Sequence, residues 1–287
     1  MASESGASNN RGELRTRVVS AAILAPAALA AVVLGGFAFA ALVAALAAVA
    51  FWEWTAITDA DDPGWARALA GACLIAGLLS LELSSVWPAL WLVAVPAVLA
   101  LAGGIGAPAF RWIGLGLLYV ALPCGGLIVL RQADPLGWGA AILYLLFVVW
   151  ATDIAAYFGG RGFGGPKLWP RVSPKKTWSG ALSGLVAAIA AGGATVGLTM
   201  GGNVRAGLVL AVPLSVAAQA GDFLESAVKR RFGVKDSGRL IPGHGGVLDR
   251  VDGLFGAAAL AWLLALAGLG EDILALPGGE TIARAGQ

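Results

Sequence analysis

Charge is what this sequence has least of. Asp, Glu, Lys and Arg make up 13% of its 287 residues, about half the share of an ordinary soluble domain. So few ionised groups cannot build the polar shell that a globule of this size needs, which excludes a soluble globular enzyme. Disorder is excluded from the other side: 59% of the residues are hydrophobic and the mean hydropathy is +0.82, whereas disordered chains are poor in apolar residues. A net charge of +2 is too mild to point to nucleic acid. Only two cysteines are present, Cys73 and Cys124, each inside an apolar run without a CxxC pattern or a histidine neighbour. They read as small hydrophobes, neither a disulfide framework nor a thiolate metal site. A polytopic membrane protein remains, provided that the apolar residues come in runs long enough to span a bilayer.

They do. No ionisable residue occurs between Val18 and Trp52, and Gly35-Gly36 divides that run. Two helices joined by a tight turn are expected there, over about 18–34 and 37–54, followed by spans over about 66–83, 86–103, 110–130 and 136–157. After a polar loop come spans over about 178–200, 204–224 and 253–270, nine in all. Pro88, Pro96 and Glu82 interrupt the third and fourth. Arg15 and Arg17 before the first run resemble the start of a signal peptide, but no small-residue cleavage site opens onto a soluble chain, so the run reads as a span. The expected fold is all-α. Residues 1–16 form a disordered N-terminus, 17–135 an N-terminal set of helices, 136–270 a catalytic region with loops over 158–177 and 222–252, and 271–287 a tail. No internal repeat of the inverted-transporter kind is present.

The few charges are not spread evenly. Fourteen of the nineteen basic residues lie in three segments: before the first span, between the sixth and seventh, and between the eighth and ninth. By the positive-inside rule all three are cytoplasmic, and nine spans with an inside N-terminus place them so.

Residues 221–253 hold eleven ionisable side chains besides the only histidine, between two apolar helices. If the eighth helix continues past Asp222, then Asp222, Glu225, Ser226, Lys229 and Arg230 share one face. Carboxylates near the membrane with cations a turn or two further out suit a metal ion and a polyphosphate. A solvated helix with i,i+4 ion pairs is the ordinary alternative, but Asp222 ends an apolar run, and an acid at that depth is expected to be functional. Gly243, Gly245 and Gly246 around His244 let backbone N–H groups approach an anion, although such a turn alone is weak. Asp249 and Asp252 then fall at i and i+3 on the first turns of the ninth helix.

The run SAVKRRFGVKDSGRLIPGHGGVLDRVD, residues 226–252, resembles the signature of the phosphatidate cytidylyltransferases, with no departure from the pattern. A second block agrees: DIAAYFGGRGFG from Asp153, then SPKKTWSG from Ser173. Ser179 stands where family members often have Glu and is assigned no role. The resemblance covers roughly residues 11–270, strongly from Asp153 onward. It implies CTP and phosphatidate as substrates, with CDP-diacylglycerol and pyrophosphate as products, at the inner membrane of a bacterium. A Mg²⁺-dependent centre is implied, with room for a second cation.

That reaction is nucleotidyl transfer at the α-phosphorus of CTP. The nucleophile is a phosphate monoester with a second pKa of about 6, already largely dianionic at neutral pH, so no strong general base is required. Repulsion between two anions and charge on departing pyrophosphate are the obstacles, and cations meet both. The inventory fits: acids for metal, many Lys and Arg, and no Ser-His-Asp or Cys-His set. With the resemblance, Asp222 and Asp249 are the first metal ligands expected and Asp252 the next. Lys229, Arg230, Lys235 and Arg250 are expected to hold the triphosphate or departing pyrophosphate. Ser226 and Asp236 belong to the same binding stretch, and Gly243, His244, Gly245 and Gly246 bring donors to phosphate. Ser173, Lys175 and Lys176 are expected to bind a substrate headgroup, with attraction to anionic lipid as the alternative. Asp153, placed at the end of the sixth helix, either completes the metal site or pairs with a lysine. Glu53, between Trp52 and Trp54, reads as part of an interfacial belt. The N-terminal half is expected to form a lipid-entry groove or a homodimer surface.

Two other readings compete. In a CTP-dependent polyprenol or phytol kinase an alcohol attacks the γ-phosphorus, giving CDP and a phospholipid. A transporter would place its polar groups near the midplane on broken helices, whereas here they gather at one edge.

Overall fold

The computed structural model describes residues 26–58, 64–83, 86–104, 107–134, 136–238, 240 and 245–268. The expected N-terminal segment and tail, the start of the first span, and Arg239, Gly243 and His244 lie outside them. Among the described residues are nine α-helices: α1 (26–34), α2 (Gly36–Thr58), α3 (Gly64–Leu83), α4 (Val86–Gly103), α5 (Pro108–Gln132), α6 (Ala140–Gly162), α7 (Trp178–Thr195), α8 (Val204–Arg231) and α9 (Leu248–Leu266). A π turn, Val196–Met200, prolongs α7. Six helices, α2, α3, α5, α6, α7 with its π turn, and α8, are long and apolar enough to cross a membrane. The protein is an all-α polytopic membrane protein with one small addition, an antiparallel hairpin of β1 (Lys167–Trp169) and β2 (Ser173–Thr177).

Gly35 and Gly36 lie between α1 and α2 with φ of +63° and +53°, left-handed backbone that glycine adopts without strain. This is the tight turn expected within the first apolar run. From there the bundle builds around α5, the most deeply buried of the six membrane-capable helices, which packs on α2, α3, α4 and α9. α6 lies against α7 in the most extensive helix contact, and α7–α8 and α8–α9 complete the second group. α9 therefore joins the two groups by touching both α5 and α8.

Glycine permits much of this close packing. An added Cβ at Gly180 would lie 2.7 Å from the Ala156 carbonyl oxygen, and one at Gly184 would lie 2.8 Å from that of Thr152. Helices in lipid associate by backbone approach over small residues, so α6 and α7 meet along a glycine seam. The same chemistry corrects the expected end of the sixth span. A loop is expected from 158 onward, yet α6 continues to Gly162, because α7 and the Thr177 side chain pack on Gly159 and Gly160. The expected loop over 158–177 is thus the last turns of α6 plus the β1–β2 hairpin. Thr177 ends the hairpin and caps α7, its Oγ1 accepting from Gly180 N at 3.1 Å.

Buried polar groups close the bundle end where α5 stops and α6 begins. Arg131 of α5 donates to the carbonyls of Val32 (2.6 Å), Val33 (3.0 Å) and Gly137 (2.8 Å), two of them at the end of α1. Asp134 accepts from Gly139 N (2.6 Å) and Ala140 N (2.9 Å), covering the first amides of α6. These groups are satisfied locally and read as structural.

Candidate active site

The opposite end of the bundle gathers the ends of α2, α6 and α8 and the starts of α7 and α9. α8 does not stop near Asp222. It runs to Arg231, with three cations in its last turn where the helix dipole favours them. Asp222, Glu225, Ser226, Lys229 and Arg230 are therefore on one continuous helix, as their spacing implied. Glu225 is 1% and Lys229 9% exposed, so this face looks into the protein rather than into solvent; Arg230 is exposed.

Lys229 links two carboxylates: its ammonium lies 2.7 Å from Glu225 Oε2 and 2.5 Å from Asp249 Oδ1. Asp249 Oδ2 accepts from the backbone N–H of Ser237 (2.9 Å) and of Gly246 (3.1 Å). Lys229 and these two amides match the Asp249 charge with an ammonium and two N–H donors.

Lys176 of the hairpin pairs with Asp222 of α8, and its ammonium also sits 4.7 Å above the Phe223 ring. Trp169 approaches the same ring, centroid to centroid at 6.1 Å. The hairpin is therefore seated on α8 by one ion pair and one aromatic platform. Ser226 Oγ lies 3.4 Å from the second Asp222 oxygen. Asp252 of α9 is near them, within electrostatic range of the Asp222 and Asp153 carboxylates and of Lys176. Asp153 is not at the end of its helix, since α6 extends beyond it. Exposed on α6, it is within electrostatic range of Asp222, Asp252 and Lys176.

The predicted residues thus fall into two neighbouring groups and a periphery. Asp222, Asp252, Ser226 and Lys176 form one group with Asp153; Lys229 and Asp249 form the other with Glu225. Lys175, Lys235 and Asp236 are exposed, Ser173 is half-buried, and Arg250 is exposed. Gly245 has φ of +82°, and Gly246 already donates its N–H to Asp249.

Sequence reasoning missed Glu53. It is 3% exposed and accepts from Val247 N (2.9 Å), Leu248 N (2.7 Å) and Ser237 Oγ (3.1 Å). The belt reading holds for its neighbour Trp52, which is 64% exposed; successive helical residues point about 100° apart, so Glu53 and Trp54 turn inward. An acid flanked by tryptophans gives no local sign of partners almost two hundred residues away.

Residues 15–267 match the model of the cytidylyltransferase family. The chain belongs to that family. Cytidylyltransferase relatives named phosphatidate cytidylyltransferase are similar to it over most of its length. That of Brucella suis is 44% identical over 255 residues, covering 87% of this chain and 92% of its own. Those of Pseudomonas aeruginosa and Haemophilus influenzae are 40% and 36% identical, covering 87% and 85% of this chain and 97% and 96% of theirs. The donor chemistry of this end suits a divalent metal ion, since hard carboxylate oxygens from α6, α8 and α9 lie in electrostatic range of one another. Glu225 Oε1 is a buried carboxylate oxygen without a hydrogen-bond partner among the described residues. Among the described residues no three Asp, Glu, His or Cys side chains yet close around a point; Lys176 and Lys229 supply the balancing positive charge.

Proposed function

We propose that this membrane protein is a phosphatidate cytidylyltransferase, transferring a cytidylyl group from CTP to phosphatidate to give CDP-diacylglycerol and pyrophosphate. The Lys176–Asp222 pair carries the reading, because it ties the block from Ser173 to the helix from which the run 226–252 begins, at one end of the bundle. A soluble triphosphate and a lipid headgroup can meet only at such a boundary between water and membrane.

In the reaction a phosphate oxygen of phosphatidate bonds to the α-phosphorus as the bond to the β-phosphate oxygen breaks and pyrophosphate leaves. Asp222 and Asp252, with Asp249, would hold Mg²⁺. When bound, the ion neutralises phosphate charge and aligns the displacement. Lys229 is fixed between Glu225 and Asp249, so it presents a cation without reorganising as charge develops. Arg230, Lys235 and Arg250 are exposed and would take the triphosphate tail. Lys175, exposed beside Lys176 on the hairpin, would meet a substrate phosphate arriving from the membrane surface.

Around this centre we place nine spans, adding α1, α4 and α9 to the six membrane-capable helices. The basic segments and the site are on the cytoplasmic side of a bacterial inner membrane. Purified protein incubated with Mg²⁺, phosphatidate and CTP labelled at the α- or γ-phosphate tests the reading. Label is expected in lipid from α-labelled CTP and in pyrophosphate from γ-labelled CTP. Label in lipid from the γ-position would mean a kinase and overturn it.

A further inference from the structure

Glu53 comes from the N-terminal half, yet its described partners all lie in the 237–248 segment. α9 begins without a side-chain cap of its own, so its first amides need acceptors from elsewhere. Glu53 provides them from α2: Oε1 takes Val247 N and Oε2 takes Leu248 N. A carboxylate at a helix N-terminus is favoured by the dipole, which helps to explain how this acid is tolerated at 3% exposure. Oε2 also accepts from the Ser237 hydroxyl, and the same hydroxyl oxygen accepts from Asp249 N at 3.3 Å. Ser237 N in turn donates to Asp249 Oδ2. Two glycines let the loop close on the carboxylate: an added Cβ at Gly238 would lie 2.5 Å from Oε1, and one at Gly246 would lie 2.6 Å from Oε2.

We infer that Glu53 is the positioning residue of the site: through Ser237 and the first turn of α9 it holds the Asp249 carboxylate, and with it Lys229, where the transfer needs them. The inference rests on the proposed reading that residues 226–252 carry the reaction. Glu53 does not touch substrate; it acts through the groups that do. Its shape alone is not sufficient. Glu53→Gln would turn an N–H₂ toward backbone N–H or hydroxyl donors, opposing donor to donor.

Two variants test this, Glu53→Gln and the milder Ser237→Ala, each by turnover and by amide hydrogen exchange of the metal-free protein. Exchange at Ser237 and residues 246–249 is expected to quicken about tenfold or more in Glu53→Gln. kcat is expected to fall about 10–100-fold, as for other outer-shell partners, with KM for CTP within about threefold. Ser237→Ala is expected to lower kcat in the same direction, and the two changes together to cost less than the product of their separate effects. Wild-type kcat in both variants, or a kcat loss without faster exchange in this segment, overturns the inference. Exchange that quickens equally throughout the bundle also overturns it, since Glu53 would then be a general structural group. If the wild-type protein forms no CDP-diacylglycerol, the proposed function fails first, and this role in catalysis fails with it.

Discussion

Lys229 makes two ion pairs while almost wholly buried, and that is the tightest constraint at the residue scale. Burying a cation between two acids is tolerated because each charge is matched; removing one partner of such a buried set costs about 3–5 kcal/mol. Lys229→Met therefore should lower the thermal midpoint as well as abolish turnover, both read on the detergent-purified protein. Lys175→Ala, on an exposed strand residue, should leave the midpoint unchanged and mainly raise KM for one substrate; a pure kcat loss would count against a binding role. Asp222→Ala should cut Mg²⁺-dependent CDP-diacylglycerol formation by about 10²-fold or more at an unchanged level in the membrane. Asp249→Ala should cut it as far while also lowering the thermal midpoint, because it removes one partner of Lys229. Turnover within threefold of wild type in either would remove that residue from the metal site. These residues were legible because helical spacing alone places side chains 222, 225, 226 and 229 on one face. Glu53 was not, since its partners come from the far end of the chain.

At the scale of elements, helix ends were the least legible feature, and the glycines explain why. Gly159, Gly160 and Gly162 lower helix propensity, so the local pattern ends α6 early. Packing of Gly159 and Gly160 against α7 and Thr177 outweighs that preference, since a side chain at either would collide. Gly184→Ala would press a methyl group against the Thr152 carbonyl at 2.8 Å. Overpacking of this kind costs about 1–3 kcal/mol and should lower the thermal midpoint followed by tryptophan fluorescence. An unchanged midpoint would show that the α6–α7 seam has slack. The β1–β2 hairpin was illegible for another reason. Its strands have three and five residues, too few for an alternating pattern, and they are held on α8 through Lys176 and Trp169.

For the whole molecule, the two bundle ends have different chemistry. One is closed by Arg131 and Asp134, whose hydrogen bonds are made within the fold; the other carries paired lysines and carboxylates that surround a candidate site. The orientation can be checked by single cysteines in a protein from which Cys73 and Cys124 have been replaced by alanine. Lys235→Cys and Lys175→Cys should react with a membrane-impermeant maleimide only in opened or inverted vesicles. Arg205→Cys, exposed at the start of α8, should react in intact cells. The reverse pattern would invert the topology and place the site outside.

What the amino-acid order determined by itself was the environment and the chemistry. Apolar runs and scarce charge dictate membrane helices through transfer free energy, which is local to each segment. The density of acids and bases in residues 221–253 marks the candidate site for the same local reason. Tertiary structure alone decided how the motif residues divide among partners: Lys176 to Asp222, Lys229 to Glu225 and Asp249, and Glu53 to a loop from the other half of the chain. Such pairings depend on which helix ends meet. That is set by the packing of α5, α8 and α9 and the glycine seam of α6 and α7, interactions between segments that no stretch of sequence contains alone.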